Sequence, residues 1–342
     1  MKKANVLASM AAIAMSVVLA GSQAVQAQEP LQVTMDANNI WICEGRSSIL
    51  QYCYKGVPFK PYVKELYSPG GVNVLLDAPA DHLHHHGLMF AVSADGTNFW
   101  EETSTAGRQT QIGSTDVQIL DLFGDPYAWS ARRVRFAADV YWCPPEGRRP
   151  LVERRTIEVC RKNTPGTSAL ATALAWQSEL TTRRSRVQPV TLTGSHYFGL
   201  GLRFPRSMDA SGEFINADAR EGTVFRGEER LVRSNWCAYR ATSDGKPVTV
   251  AMFGHPDNPR EPVTWFTMAK PFAYMSATLG LHEQALEVSP RQPLTLRYGV
   301  AIWDRHIPPV QIDAFYREWA VSRKWKLNEP SSPDANQTSK PR

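Results

Sequence analysis

The 342-residue chain carries 43% hydrophobic, 21% charged and 10% aromatic side chains, with 22 Gly, 24 Pro and five Cys. These proportions belong to a packed globular protein and exclude collagen-like, coiled-coil and wholly disordered chains. Its 38 Lys and Arg exceed 33 Asp and Glu by five, and by three once Lys2 and Lys3 are set aside. So small an excess, without a basic motif interleaved with aromatics, excludes a nucleic-acid partner.

Lys2 and Lys3 precede an apolar stretch from Val6 to Ala20, and the run Ala24-Val25-Gln26-Ala27 follows. A positive start, an apolar middle and a small-residue exit are the layout of a secretory signal peptide, expected here as residues 1–27 with cleavage after Ala27. Nothing downstream is long and apolar enough to span a bilayer. The expected product is an exported protein, periplasmic or secreted, with a single domain over 28–327. The polar, Pro- and Ser-bearing stretch 328–342 is expected to be a disordered tail. Cys43, Cys53, Cys143, Cys160 and Cys237 are scattered and odd in number, which favours buried free thiols over a disulfide framework.

From residue 31 to about 305, short runs rich in β-branched and aromatic residues alternate with Gly, Pro, Asn and Asp. Segments 39–43, 48–54, 134–142, 151–159 and 294–303 read as strands, and 134–142 with 151–159 as a hairpin across Cys143–Pro150. A strand followed by a turn is expected over 62–75, and further strands at 87–92 and over Asn98-Phe99-Trp100-Glu101-Glu102. Helical spacing is confined to Ile312, Phe315, Tyr316 and Trp319, at i, i+3, i+4 and i+7, which predicts a closing helix laid on a sheet. Many strands without βαβ alternation predict an all-β protein, a large antiparallel β-sandwich with a short C-terminal helix. Walker loops, dinucleotide fingerprints, G-x-S-x-G elbows and H-E-x-x-H helices are absent from the sequence.

The most informative stretch is Asp81-His82-Leu83-His84-His85-His86-Gly87, with four of the eight histidines in five positions. Imidazole is the commonest metal ligand and the side chain that titrates nearest neutrality. If the segment is extended, His82, His84 and His86 share one face and His85 the other. Two chemistries remain open: a divalent metal held with an open position, or a general acid/base set in which Asp81 fixes a histidine tautomer. Glu101 and Glu102 follow Trp100, a pairing of acid and aromatic that suits sugar sites. Ser195–Phe204 brings His196 and Arg203, and the Pro-punctuated loop 254–260 brings His255, Asn258 and Arg260. His282 and His306 read as structural, and Arg154-Arg155 and Arg183-Arg184-Ser185-Arg186 as solvated faces.

Five ordered motifs, Tyr67-Ser68-Pro69-Gly70-Gly71-Val72, residues 81–88, Phe99-Trp100-Glu101-Glu102, Gly199-Leu200-Gly201-Leu202-Arg203 and residues 255–260, resemble a family of secreted bacterial proteins of unknown function. That family often carries the label "methane oxygenase PmoA". Its pattern, Asp-His-Pro-His-His-Arg/Lys-Gly, makes Asp81, His82, His84 and His85 the shared positions. Position 86 is variable in the pattern, and Leu83 departs from the family's proline. The label implies a copper-bearing membrane subunit, which a chain without a downstream span does not fit. The resemblance implies instead a supersandwich similar to the galactose-mutarotase-like fold, among carbohydrate-handling proteins.

Together these readings predict an exported carbohydrate-active enzyme, a hydrolase, lyase or epimerase acting on a sugar or oxidised glycoside. Asp81, His84, His85 and Glu101 are its expected catalytic residues. Trp100, His196, Arg203, His255, Asn258 and Arg260 are expected to bind a small-molecule or glycan substrate. The metal alternative places His82, His84 and His85 around a divalent ion. Two rival functions are a non-catalytic glycan-binding module and a metal-dependent oxygenase.

Overall fold

In the computed structural model, residues 29–121, 130, 132–182 and 186–321 are described; the expected leader, 1–27, and tail, 328–342, lie outside them. The chain begins with β1 (Leu31–Met35), β2 (Asn39–Glu44), β3 (Ser47–Cys53), β4 (Tyr62–Leu66) and β5 (Leu88–Ala91). The two-residue strands β6 (Ser93–Ala94) and β7 (Thr97–Asn98) lead to four long ones. These are β8 (Arg108–Asp121), β9 (Arg132–Cys143), β10 (Leu151–Asn163) and β11 (Leu170–Thr182). Then come β12 (Val190–Thr193), β13 (Gly199–Arg203), β14 (Glu213–Asn216), β15 (Thr223–Arg226), β16 (Glu229–Arg233), β17 (Trp236–Ser243) and β18 (Lys246–Gly254). The last elements are β19 (Thr264–Met268), β20 (Tyr274–Thr278), β21 (Leu286–Val288), β22 (Leu294–Trp303) and α1 (Pro309–Val321).

Two large antiparallel sheets result. One has ten strands in the order β1-β2-β3-β4-β5-β13-β20-β19-β16-β15; the other has eight, β14-β17-β18-β22-β11-β10-β9-β8. A small third sheet, β21-β12-β6-β7, stands beside them. The expected hairpin forms in the register Val134↔Val159 to Trp142↔Leu151. Alternation explains it: Val134, Phe136, Val140 and Trp142 point into the core between the two large sheets. There Tyr52 meets Phe136 at 5.0 Å between ring centroids, and Phe90 meets Trp142 at 5.9 Å. Each such burial contributes about 1.5–3 kcal/mol. The architecture is thus the expected all-β sandwich.

The outer face of the eight-stranded sheet is paved with Ala171, Ala173, Ala175, Ala238, Ala251 and Ala301. Their small side chains let α1 lie close, and its buried stripe is Ile312, Phe315, Tyr316 and Trp319, as the spacing predicts. The five cysteines are free thiols, and Cys53, Cys160 and Cys237 are buried. Gly70 explains the first of the five motifs: its N–H donates to Asp304 at 2.6 Å, and a Cβ there would stand 2.8 Å from that carboxylate. The glycine turn therefore ties the loop after β4 to the end of β22.

Arg155 overturns the expectation of a solvated arginine pair. On β10 successive side chains face opposite ways, so Arg154 reaches Asp139 at 3.2 Å while Arg155 enters the core. Arg155 makes two 2.9 Å bonds to Glu153 and further bonds to the Pro61 carbonyl at 2.7 Å and Gln109 at 3.0 Å. Glu153 also accepts from Trp142 at 3.1 Å and Ser178 at 2.6 Å. Burial works against the arginine's charge, but Glu153 beside it keeps the guanidinium ionised. Removing one partner leaves an uncompensated buried charge. Glu153→Gln is therefore expected to destabilise the fold by about 3–5 kcal/mol in urea titrations. The double variant Glu153→Leu/Arg155→Met is expected to recover most of that loss, and a single variant as stable as wild type would refute the account.

Candidate functional site

Residues 77–87 turn twice instead of running extended. The N–H of His82 donates to the Pro79 carbonyl at 2.9 Å, and that of His85 to the His82 carbonyl at 3.0 Å. Alternation is lost, so the face of His82, His84 and His86 that an extended segment would give does not form. The rings of His82 and His85 stack at 4.6 Å, with His84 edge-on to His85 at 4.6 Å, while His86 turns the other way. Gly87 makes the return to β5 possible: at φ +36°, a Cβ there would lie 2.3 Å from the Val63 carbonyl of β4.

His86 is the buried anchor of this loop. Its Nδ1 bonds Asp77 at 2.7 Å, its Nε2 bonds Glu102 at 2.9 Å, and its ring stacks on Tyr62 at 4.4 Å. Burial opposes a charge on this ring, yet the two carboxylate bonds outweigh burial and raise its pKa. Glu102 also takes the Lys60 ammonium at 2.7 Å, and Lys60 donates to the Trp100 carbonyl at 3.0 Å. Burial would raise the Glu102 pKa, but His86 and Lys60 hold the group below its ordinary value. The stretch 99–102 is not the expected strand. The Asn98 side-chain oxygen accepts from the N–H groups of Trp100 at 2.7 Å and Glu101 at 3.1 Å, which ends β7 in a turn.

That turn brings Glu101 to 3.5 Å from Nδ1 of His84. Both line a cavity of about 280 Å³ together with His82 and His85. The β15–β16 hairpin adds Arg226 and Glu229 to the lining, and Tyr197 joins them; Phe266, Phe272 and Tyr274 give the cavity aromatic faces. Glu229 is held by His196 at 3.0 Å and Arg226 at 2.7 Å. Burial pushes the His85 pKa down to about 2, with His84 and His82 adding to it, and its Nδ1 is buried without a hydrogen-bond partner. Burial also lowers His84, against the pull of Glu101, and lowers His196 against Glu229. The cavity therefore holds His84 and His85, which favour the neutral form, together with the carboxylates of Glu101 and Glu229.

Of the expected catalytic residues, the fold unites His84, His85 and Glu101. Asp81 stands aside: it bonds His82 at 3.0 Å and faces Arg203 at 3.6 Å and Arg206 at 3.7 Å, so it orients neither His84 nor His85. The expected substrate residues fare less well. Trp100 is fully buried, stacked on Phe198 at 4.9 Å behind His85, and so offers no face to a ligand. Arg203 is buried with its guanidinium 3.7 Å over Phe272, and His196 supports Glu229 from behind.

His255, Asn258 and Arg260 do not reach this cavity. Asn258 clamps the backbone of Arg297 with two 2.7 Å bonds, and Arg260 donates to the carbonyls of Leu279, Gly280, Gln284 and Ala285. His255 packs edge-on to Trp319 of α1 at 5.6 Å. Backbone carbonyls without strand partners claim these polar groups, a demand that spacing in the sequence does not reveal. Conversely, Glu229 and Arg226 carried no motif, and Lys60 and Asp77 no signal beyond their residue type. Among the described residues no group of three or more His, Cys, Asp or Glu side chains is placed to hold a metal ion. His82, His84 and His85, whose rings pack on one another, do not form such a group in this arrangement.

No curated protein matches this sequence. Among solved structures, the alpha-galactosidase from Lactobacillus brevis superposes with a TM-score of 0.38 at 8% identity, over 84% of this chain and 42% of that one. The chain thus spans less than half of that protein's length, and a likeness of this order carries no argument about activity. Among the described residues no helix is long and apolar enough to cross a membrane. A family model matches residues 42–317, a span that contains the histidine loop, the Glu101 turn and the β15–β16 hairpin. By that match, the chain belongs to DUF6807, a family of unknown function.

Proposed function

We propose that this protein is an exported carbohydrate-active enzyme that moves protons on a sugar or oxidised glycoside. The observation that carries the reading is the His84–Glu101 pair at 3.5 Å, in one small cavity that Glu229 and aromatic side chains also line. Aromatic faces suit the C–H faces of a sugar ring, and carboxylates its hydroxyls. His84, kept neutral by burial, takes a proton from the substrate or from a water molecule. Glu101 stabilises the imidazolium that forms. Glu229, steadied by His196 and Arg226, binds a hydroxyl on the opposite side. His85, neutral and with a free Nδ1, holds the ring of His84 edge-on. A metal-dependent oxygenase would need a ligand set that the described residues do not present.

Assays over a panel of glycosides and oxidised glycosides test the proposal. His84→Ala and Glu101→Gln are each expected to cut kcat roughly a hundredfold to ten-thousandfold, with melting temperatures close to wild type. Losses below tenfold in both would remove the pair from the chemistry. Sugar binding without turnover in wild type would make the protein a glycan-binding module instead.

The pH profile gives an independent check. A general base must be unprotonated, so activity disappears as the pH falls through its pKa. Burial lowers His84 from 6.5, so the acid limb of kcat/KM is expected below pH 6.5. The limb should vanish in His84→Ala, and an acid limb above pH 7 in wild type contradicts the assignment.

A further inference from the structure

We propose that the hollow on the other side of the β15–β16 hairpin is a subsite for a second sugar ring, so that the substrate is an oligosaccharide or a glycoside with a ring-sized aglycone. The inference rests on the proposed function and extends the same site. This hollow measures about 680 Å³ against about 280 Å³ for the histidine cavity. It lies within the roughly 300–1,000 Å³ common for small-molecule binding clefts. Val224 and Phe225 form its apolar floor, and Arg220, Arg233, His282 and Glu283 stand among its lining.

Phe225 makes this a built surface. The register of β15 against β16 slips between Val224 and Arg226, which leaves Phe225 as the unpaired residue of a bulge. Bulges re-aim side chains in this way beside binding sites. The Phe225 ring stacks on His196 at 3.7 Å and meets His282 edge-on at 5.7 Å, yet the residue remains 46% exposed. An aromatic ring held by two neighbours and still open to solvent, next to the exposed Val224, is a preorganised stacking face rather than a loose surface side chain. One layer of side chains separates the two hollows: Phe225 on His196, and His196 bonded to Glu229 at 3.0 Å. A chain bound with one ring against His84 and Glu101 would pass Arg226 and set its next ring on Phe225.

The test compares monosaccharides with two- to four-ring gluco-, galacto- and xylo-oligosaccharides, by turnover and by thermal shift, on wild type, Phe225→Ala and Phe225→Tyr. Phe225→Ala is expected to raise KM about five- to tenfold for the longer substrates, leaving single-ring substrates within about twofold, and Phe225→Tyr to restore wild-type values. Equal effects at every length, or none on any oligosaccharide that wild type turns over, overturn the subsite while leaving the proposed function standing. If sugars stabilise wild type without turnover, the catalytic reading fails and the same length dependence in thermal shift decides the subsite. If no sugar is turned over or stabilises wild type, both fail together.

Discussion

A buried charge bridge sets the geometry of the candidate site. The His86 ring lies between Asp77 and Glu102, and Lys60 closes the chain of charges on Glu102. Two carboxylates around two cationic groups balance one another, which is what allows such groups to sit within the fold at all. Asp77 and His86 bracket the histidine turn, and Glu102 belongs to the turn that presents Glu101. The bridge thus couples two loops whose surface side chains, His84 and Glu101, are the ones that meet. Charge–charge bonds at 2.7–2.9 Å leave little play, and proton transfer depends on small tolerances.

The surrounding sandwich supplies rigidity and partners from afar. β13, which lies between β5 and β20, brings together segments separated by a hundred residues or more in the chain. This pairing places Tyr197 and Tyr274 at the cavity of the histidine turn, and β16 on β19 brings the hairpin bearing Arg226 and Glu229 to the same cavity. The cavity therefore forms where the first meander meets the late strands of the ten-stranded sheet. The eight-stranded sheet contributes no residue to its lining; it seals the core below through the Glu153–Arg155 pair and carries α1 on its outer face.

Local periodicity made much of the fold legible. Alternating apolar residues gave the strands and the hairpin at 134–159, and one stripe at helical spacing gave α1, because both patterns follow from backbone geometry alone. The same reasoning reaches the histidine run only if that run is extended, and it is not. Two turn hydrogen bonds, at Pro79 and His82, cancelled the alternation and sent His86 away from its neighbours. Arg155 shows the converse: two adjacent arginines look alike in sequence, but the inward position is buried once the partner sheet is present.

The residue types near Gly87 and Trp100 marked by themselves imidazoles and carboxylates as the candidate chemistry of a β-rich chain. Only the tertiary structure decided which of those groups share a cavity, since that depends on long-range strand pairing and on which carbonyls lie at loops and strand ends. Those carbonyls claim Asn258 and Arg260 for the backbone, and strand pairing brings Glu229, which no motif marks, into the cavity that His84 and Glu101 line.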